Sequence, residues 1–480
     1  MKRETETGNR MSNIRAPLTT HHAPATHPPT VPRRWGLTAA EILMVSFAGA
    51  ILLGTLLLML PPASVGRSLS FVEALFTATS ATCVTGLTVV DTGAHFTLFG
   101  QIVILVLIQM GGLGIMTFST FFLFLFGRSI SMKYHDALSD TLGHAPAGDT
   151  RRLLKNVLGF TLAAEGLGAL FLLLRFVSIY PFPKALYHAV FHAISAFCNA
   201  GFALYSESFR SYQGDFWVSG TLMVLIVSGG IGFPVLLDLR RTMKTRRIRS
   251  LSLHTKIVLL FTGILIALGA AFFFLLEAHN TLERLPRGTQ FLSALFQSVT
   301  PRTAGFYTVS ILHLTHAAAF FLIVWMFIGA SSGSCGGGIK VSTFAVLIAT
   351  GYAQLRNRND ATLFQRRIPS RTVTRAIAVV MLSISVILLF TMALLITESG
   401  SLSNPGDRGL FLSVLFEATS AFGTVGLSTG LTPHLTAMGK LLMALLMFTG
   451  RIGPLTIALM VGTRSTSPRF QYAEEAVMVG

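Results

Sequence analysis

Ala81-Thr82-Cys83-Val84-Thr85-Gly86, Ala196-Phe197-Cys198-Asn199-Ala200-Gly201, Thr300-Pro301-Arg302-Thr303-Ala304-Gly305 and Ala421-Phe422-Gly423-Thr424-Val425-Gly426 are four versions of one short loop. Each follows a short apolar segment and precedes a long one. In a membrane chain, four glycine-ended loops could bring four backbone strands around one axis. Carbonyl oxygens there would replace the water of an ion.

The chain has 480 residues, 52% of them hydrophobic and only 12% charged, with a mean hydropathy of +0.65. Soluble domains carry about 25% charged residues, and several apolar runs here exceed the ~20 residues of a bilayer-spanning helix. A polytopic membrane protein follows. The net charge of +17 is a topology signal and not a nucleic-acid footprint. Most Lys and Arg fall in the N-terminal tail, 128–155, 240–256, 354–375 and the C-terminal tail. If these share one side, that side is cytoplasmic, where the basic loops could also meet an acidic partner or anionic lipid. Residues 1–34, rich in Pro, Thr, His and Arg without an apolar core, read as a disordered cytoplasmic tail. Three cysteines make no disulfide framework.

Long apolar segments lie near 38–60, 97–127, 155–179, 215–238, 256–277, 314–350, 373–397 and 435–462. Between members of each pair are shorter apolar stretches, 71–82, 187–198, 291–301 and 410–421, too short to span and suited to re-entrant helices. The expected fold is all-α: four span–pore-helix–span repeats in pseudo-fourfold arrangement around a central pore, both termini cytoplasmic. The repeats would cover 35–127, 128–239, 240–352 and 353–464, followed by a cytoplasmic tail over 465–480. Other positions recur in register. Phe76, Phe191, Phe296 and Phe416 precede the loops, with Ser80, Ser195, Thr300 and Ser420 after them. Glycine patches recur in the second spans: Gly111-Gly112-Leu113-Gly114, Gly229-Gly230-Ile231-Gly232, Gly337-Gly338-Ile339-Lys340 and Gly450-Arg451-Ile452-Gly453. One such patch alone would mean close helix packing; four in register mean a repeat.

These residues carry a resemblance. Gly329-Ala330-Ser331-Ser332-Gly333-Ser334-Cys335-Gly336-Gly337-Gly338-Ile339-Lys340, Gln109-Met110-Gly111-Gly112-Leu113-Gly114 and Gly450-Arg451-Ile452-Gly453-Pro454-Leu455-Thr456 resemble the Trk/Ktr/HKT superfamily of cation transporters. Within it the chain is nearest the membrane subunits of Ktr-type potassium uptake systems, over roughly residues 38–465. The resemblance implies potassium uptake across the bacterial plasma (inner) membrane, glycine at all four loops going with potassium permeation. It also implies a homodimer in membrane lipid on a cytosolic ring of nucleotide-binding regulatory subunits, with sodium as a possible stimulator. The chain would bind no cofactor; potassium is its substrate. The basic loops 240–256 and 354–375 are the expected regulatory contact.

The reading of the residues gives the filter as Val84, Thr85 and Gly86, Asn199, Ala200 and Gly201, Thr303, Ala304 and Gly305, and Thr424, Val425 and Gly426. Glycine allows conformations closed to other residues, and the half-helices aim their partially negative ends at the ion path. Asp91 and Glu207 could concentrate cations at the outer mouth, although solvated loop acids read the same way. Arg302 is expected to face away from the ion, toward Glu73 or Glu417. A gate is expected where Ser331, Ser332, Gly333, Ser334, Cys335, Gly336, Gly337 and Gly338 interrupt the long span before Lys340. A helix pays about 1 kcal/mol per glycine there, and irregular backbone at this depth needs cover. Arg451, in place of a glycine in mid-span, costs at least ~2.5–3.5 kcal/mol and is the second gate element. Cys335 departs from the threonine usual in relatives.

Two rivals remain open. Gly329-Ala330-Ser331-Ser332-Gly333 fits the G-x-S-x-G pattern of a serine nucleophile, but His188 and His192 belong to an outer half-helix, so an intramembrane protease is remote. Sodium-selective flux or ion-coupled symport through the same fold is the other; carriers often have inverted repeats, whereas these units keep one orientation.

Overall fold

The computed structural model describes residues 39–113, 150–245, 251–358, 360–398 and 409–453, all within the body Thr38–Gly480. The expected tails, the end of the first repeat's second span, the basic stretch 128–149 and the Pro454-Leu455-Thr456 motif lie outside the described residues.

Each first span is a long helix: α1 Ala39–Met59, α5 Thr150–Phe176, α9 Leu253–Glu277 and α13 Ser370–Glu398. Among the described residues, Lys155–Phe176, Leu253–Glu277 and Ser370–Glu398 are long and apolar enough to cross a bilayer unaided. The short apolar stretches are α2 Phe71–Thr82, α6 Phe182–Phe197, α10 Arg287–Val299 and α14 Gly409–Gly423. Their starts are set locally. Ser70 and Glu73 form a reciprocal capping box on α2, while Pro181 and Pro286 precede α6 and α10, where a missing N–H costs nothing. The short turn α3 (Thr92–His95) leads into the first of the second-span helices. These are α4 Leu98–Gly112, α7 Phe216–Gly230, α11 His316–Phe327 and α15 Ala437–Ile452.

Each short helix packs against its own first span, and each second-span helix packs against the short helix of the next unit. The pairs are α4 with α6, α7 with α10, α11 with α14, and α15 back to α2. Phe76, Phe191, Phe296 and Phe416, at matching places on the short helices, are all fully buried. In a bilayer that burial acts through close packing, because lipid is as apolar as the partner.

The second-span helices begin alike. Thr97, Asp215, Thr315 and Thr436 each accept a first-turn amide with the side chain. Each is also tied to the chain at the end of its own first span. Thr97 Oγ1 donates to the Pro62 carbonyl (2.5 Å), and Asp215 pairs with Arg175 (2.6 Å). Glu277 accepts from Thr315 N and Oγ1 (2.9 and 2.8 Å), and Glu398 from Thr436 N and Oγ1 (3.1 and 2.7 Å). These ties were not read from the sequence.

Two second spans depart from straight crossings. The third is interrupted between α11 and α12 (Val341–Leu355), as expected. The second also breaks: Gly232, at φ +90°, ends α7, and the chain turns by 100° into α8 (Phe233–Thr245). Positive φ is the ordinary glycine stop of a helix, so 215–238 is a sharply bent helix pair and not one straight helix. Beyond α12 a short hairpin, β1 Thr362–Leu363 with β2 Arg366–Arg367, is antiparallel. It and its flanks expose Arg356, Arg358, Arg366, Arg367, Arg371 and Arg375.

The buried Glu277 carboxylate holds Thr315, Thr281 and Asn280 at once. Glu277→Ala should therefore destabilise the detergent-solubilised protein by about 2 kcal/mol, since several half-buried donors lose a shared charged acceptor. Glu207→Ala removes only an exposed pair with Arg210 and should cost at most about 1 kcal/mol. Thermal unfolding of the two variants checks this; equal shifts would contradict the role given to Glu277.

Candidate functional site

The C-terminal ends of the four short helices deliver four loops with one backbone recipe. Thr85 N, Ala200 N and Val425 N donate to the Ser80, Ser195 and Ser420 carbonyls (2.8, 2.7 and 2.8 Å), and Ala304 N to that of Thr300 (2.9 Å). Val84, Asn199, Thr303 and Thr424 have φ of +58, +59, +70 and +49°; Gly86, Gly201, Gly305 and Gly426 have +93, +72, +74 and +92°. The intervening Thr85, Ala200, Ala304 and Val425 do not adopt positive φ. Left-handed φ costs a β-branched residue such as Val84 about 1–3 kcal/mol, strain that gathers at functional sites.

The glycines bring the loops together. A Cβ on Gly86 would stand 2.5 Å from the Ala200 carbonyl oxygen, one on Gly201 2.9 Å from that of Ala304, and one on Gly305 2.6 Å from that of Val425. On Gly426 it would collide with the Thr85 carbonyl oxygen, which closes the series on itself. The twelve residues singled out from the sequence are thus assembled in one place. Above them opens a cavity of about 390 Å³, lined by all four glycines together with Asp91, Tyr205, Tyr307 and Ser428.

The recurring hydroxyls lie behind the loops. Ser80 Oγ and Ser420 Oγ accept from Gly86 N and Gly426 N (3.1 Å each), while Ser195 Oγ and Thr300 Oγ1 donate to the Phe202 and Phe306 carbonyls (2.8 and 2.5 Å). A further row escaped the sequence reading: the polar residue after each repeated phenylalanine. His192 Nε2 accepts from Leu204 N (3.1 Å), and Glu417 Oε1 from Thr429 N (2.8 Å), in each case the third amide beyond the loop glycine. Thr77 bonds its own helix, and the buried Gln297 side chain has no partner among the described residues. A polar residue one step beyond an aligned, buried phenylalanine was the available signal.

The second-span glycines explain the close approach. A Cβ on Gly111, Gly229 or Gly450 would collide with the last carbonyls of the short helices, those of Thr82, Phe197 and Phe422. In the third unit the matching glycines leave the helix and form the loop between α11 and α12. Its ends pair at Ile328 and Ile339. Ser331 N and Cys335 N donate to the Gly230 and Gly229 carbonyls (3.0 and 3.2 Å), and Phe233 N to that of Gly333 (3.0 Å). Ser332 shares a hydrogen bond with Ser342 (3.3 Å), and Ser334 Oγ donates to the Ser331 carbonyl (2.6 Å). The loop lies directly against the residues expected to form the filter. Gly337 N donates to Thr424 Oγ1 (3.1 Å), a Cβ on Gly336 would strike Thr303 Oγ1, and Gly338 faces Gly423.

Two cations hold this loop. Lys340 Nζ donates to the Gly336 carbonyl at 2.8 Å. Arg451, 8% exposed, donates to the carbonyls of Cys335 and Gly111. It therefore links the loop to the first unit's second span.

Three expectations need correction or sharpening. Arg302 is buried but meets neither expected acid. Glu73 caps α2 and pairs with Arg67 (3.1 Å), and Glu417 is occupied by Ser428, Thr429 and Thr432. Asp91 lines the outer cavity and caps the turn at Gly93 and Ala94, whereas Glu207 is an exposed partner of Arg210. Ser331 Oγ faces the Ser332 carbonyl (3.4 Å), while His188 and His192 bond Tyr205 and Leu204. No histidine bonds Ser331 among the described residues; the serine–histidine contact that does form, Ser310 Oγ with His313 Nδ1 (2.7 Å), is exposed and lies outside the G-x-S-x-G stretch.

Comparison with known proteins agrees with this architecture. Residues 21–471 match the family described as "TrkH: Cation transport protein". The chain is 43% identical over 442 residues to the Ktr system potassium uptake protein B of Vibrio alginolyticus, covering 92% of this chain and 94% of that one. It is 41% identical to the Ktr system potassium uptake protein B of Bacillus subtilis, with coverage of 92% and 97%. The Potassium/sodium uptake protein NtpJ of Enterococcus hirae is 35% identical, with coverage of 92% and 98%. The crystal structure of the potassium transporter TrkH from Vibrio parahaemolyticus superposes with a TM-score of 0.71 at 18% identity, over 90% of this chain and 86% of that one, a likeness of fold. A chain so matched along most of its length, with apolar helices long enough to cross a bilayer, is a multi-pass membrane protein of the TrkH cation-transporter family and not an enzyme.

Proposed function

We propose that the chain takes up potassium through a single pore with pseudo-fourfold symmetry, as the membrane subunit of a Ktr-type system in the bacterial inner membrane. The observation that carries this reading is the closed series of contacts from Gly86 through Gly201 and Gly305 to Gly426 and back to Thr85. A potassium ion in hydrocarbon would cost tens of kcal/mol by a Born argument. Carbonyls of Val84-Thr85, Asn199-Ala200, Thr303-Ala304 and Thr424-Val425 offset that cost without a charged side chain. Supporting the choice of ion are glycine at all four positions and the potassium uptake proteins among the relatives. The potassium/sodium name of the third relative keeps sodium as the ion to test against.

The gate is the loop 331–338 with Lys340 and Arg451. Under the filter it blocks the path with backbone, and the arginine adds a positive barrier at the same level. Driving force comes from the ion gradient and the membrane potential, worth about 2.3 kcal/mol per charge per 100 mV. A homodimer in lipid bears on cytosolic nucleotide-binding subunits through the basic faces around Arg240 and Arg366, with both termini on that side and sodium acting as a stimulator.

Uptake of potassium by cells lacking their own uptake systems tests the reading. Wild type should support growth at low potassium, and Gly86→Ser should weaken discrimination against sodium. A seryl Cβ at φ +93° meets the Ala200 carbonyl. Several filter-glycine variants with unchanged selectivity would refute the filter assignment. For the gate, Arg451→Ala releases the Cys335 and Gly111 carbonyls and should raise maximal flux about tenfold, the effect of ~1.4 kcal/mol on a barrier. Slower or unchanged flux in that variant, at equal protein level, would remove Arg451 from the gate.

A further inference from the structure

We infer that Glu165 is a positioning residue of the pore, fixing the inner end of the second filter strand relative to the helix that seats Arg451. The inference rests on the pore reading above and extends it to a residue that touches no ion. Glu165 lies on α5, within an apolar span and 6% exposed. It is eleven residues from the outer end of that helix at Phe176, about 16 Å at 1.5 Å per residue. That is near the middle of a hydrocarbon layer about 30 Å thick. An ionisable side chain at such depth is retained for a reason beyond solubility.

Its two partners give the reason. Gln109 Nε2 on α4 donates to Glu165 Oε2 at 3.3 Å, and the thiol of Cys198 points to Glu165 Oε1 at 3.8 Å. The same thiol is 3.7 Å from Gln109 Oε1, so the three side chains close a small cycle. Each comes from a different element: the first span of unit two, the second span of unit one, and the cap of the second short helix. No ion pair to Glu165 is formed among the described residues.

Both partners stand next to the working parts. Cys198 is followed directly by Asn199, which opens the second filter strand at φ +59°. Gln109 is two residues before Gly111, whose carbonyl accepts from Arg451. Gly112 packs directly on Cys198, because a Cβ on Gly112 would strike Cys198 Sγ and stand 3.3 Å from Cys198 Cα. A shift of Cys198 therefore moves either the filter strand or α4. Glu165, bonded to both sides of that contact, holds the spacing between filter and arginine seat.

The test is potassium influx into proteoliposomes holding the purified full chain, with sodium as competitor, for wild type, Glu165→Ala, Glu165→Gln and Gln109→Leu. Glu165→Ala should raise the apparent KM for potassium and lower the potassium-over-sodium preference about tenfold. Glu165→Gln, which keeps shape and an acceptor oxygen, should return most of that preference with the wild-type pH profile. Gln109→Leu removes the same contact from the other side and should repeat the Glu165→Ala defect, which keeps the test decisive should Glu165→Ala fold poorly. Wild-type KM and preference in Glu165→Ala or Gln109→Leu would overturn the inference. So would a folded Glu165→Gln as impaired as Glu165→Ala, or with a displaced pH profile, since charge and not position would then be at work. A wild type with no potassium preference would instead sink the pore reading itself.

Discussion

The governing constraint in this molecule is between backbones: a glycine in each of four loops lies against a carbonyl of the next loop, leaving no room for a side chain. Everything around it serves that approach. The short helices stop where their last carbonyls meet the second-span glycines. The loops fold back on those ends through matched amide bonds. Left-handed φ at Val84, Thr303 and Thr424 is the local cost, of the order of 1–3 kcal/mol each. Such strain persists only where surrounding contacts over-determine it, as the buried Ser80, Ser195, Thr300 and Ser420 hydroxyls do here.

The four units share this plan while diverging in what supports it. Units one and four use the recurring serine to hold the loop glycine, whereas units two and three turn the hydroxyl to the carbonyl that follows. Unit three has also lost the helical glycine contact and uses its glycines as a loop under the neighbouring filter strands. The broken end of the second unit's span receives that loop through three backbone bonds. Thus one repeat supplies the loop and another its anchorage. A strictly symmetric assembly could not divide the work in this way.

Much of this was legible in the sequence because repetition multiplies weak signals. A lone Thr-Gly or Ala-Gly step says little; four in register, each behind a buried phenylalanine, fix where backbone leaves the helix. Positions where chemistry is not repeated were harder. Arg302 was assigned an acidic partner on charge alone, yet Glu73 and Glu417 were already committed to nearer donors within their own units. The bend at Gly232 was missed because a Gly-Gly-Ile-Gly patch also suits a packed straight helix. Only the φ of its last glycine separates the two. Glu165, Glu277 and Glu398 gave no motif at all, since the partners that tie them to other elements lie 33 to 56 residues away in the chain.

The charges beneath the filter follow a different logic from those outside it. At the outer ends, buried carboxylates are met by caps and hydroxyls, and Arg175 by Asp215. Under the filter, Lys340 and Arg451 are met by carbonyl oxygens of Gly336, Cys335 and Gly111. A carboxylate partner would cancel the positive field and bind the arginine firmly. Carbonyls leave the charge in force while engaging Nη1 and Nη2 of the arginine, in bonds that are charge-assisted from one side only. On the proposed pore reading, an arginine so held would repel a cation in the path and could exchange partners if the loop moved. Neutral acceptors would therefore suit the proposed gate, a barrier that must sometimes yield.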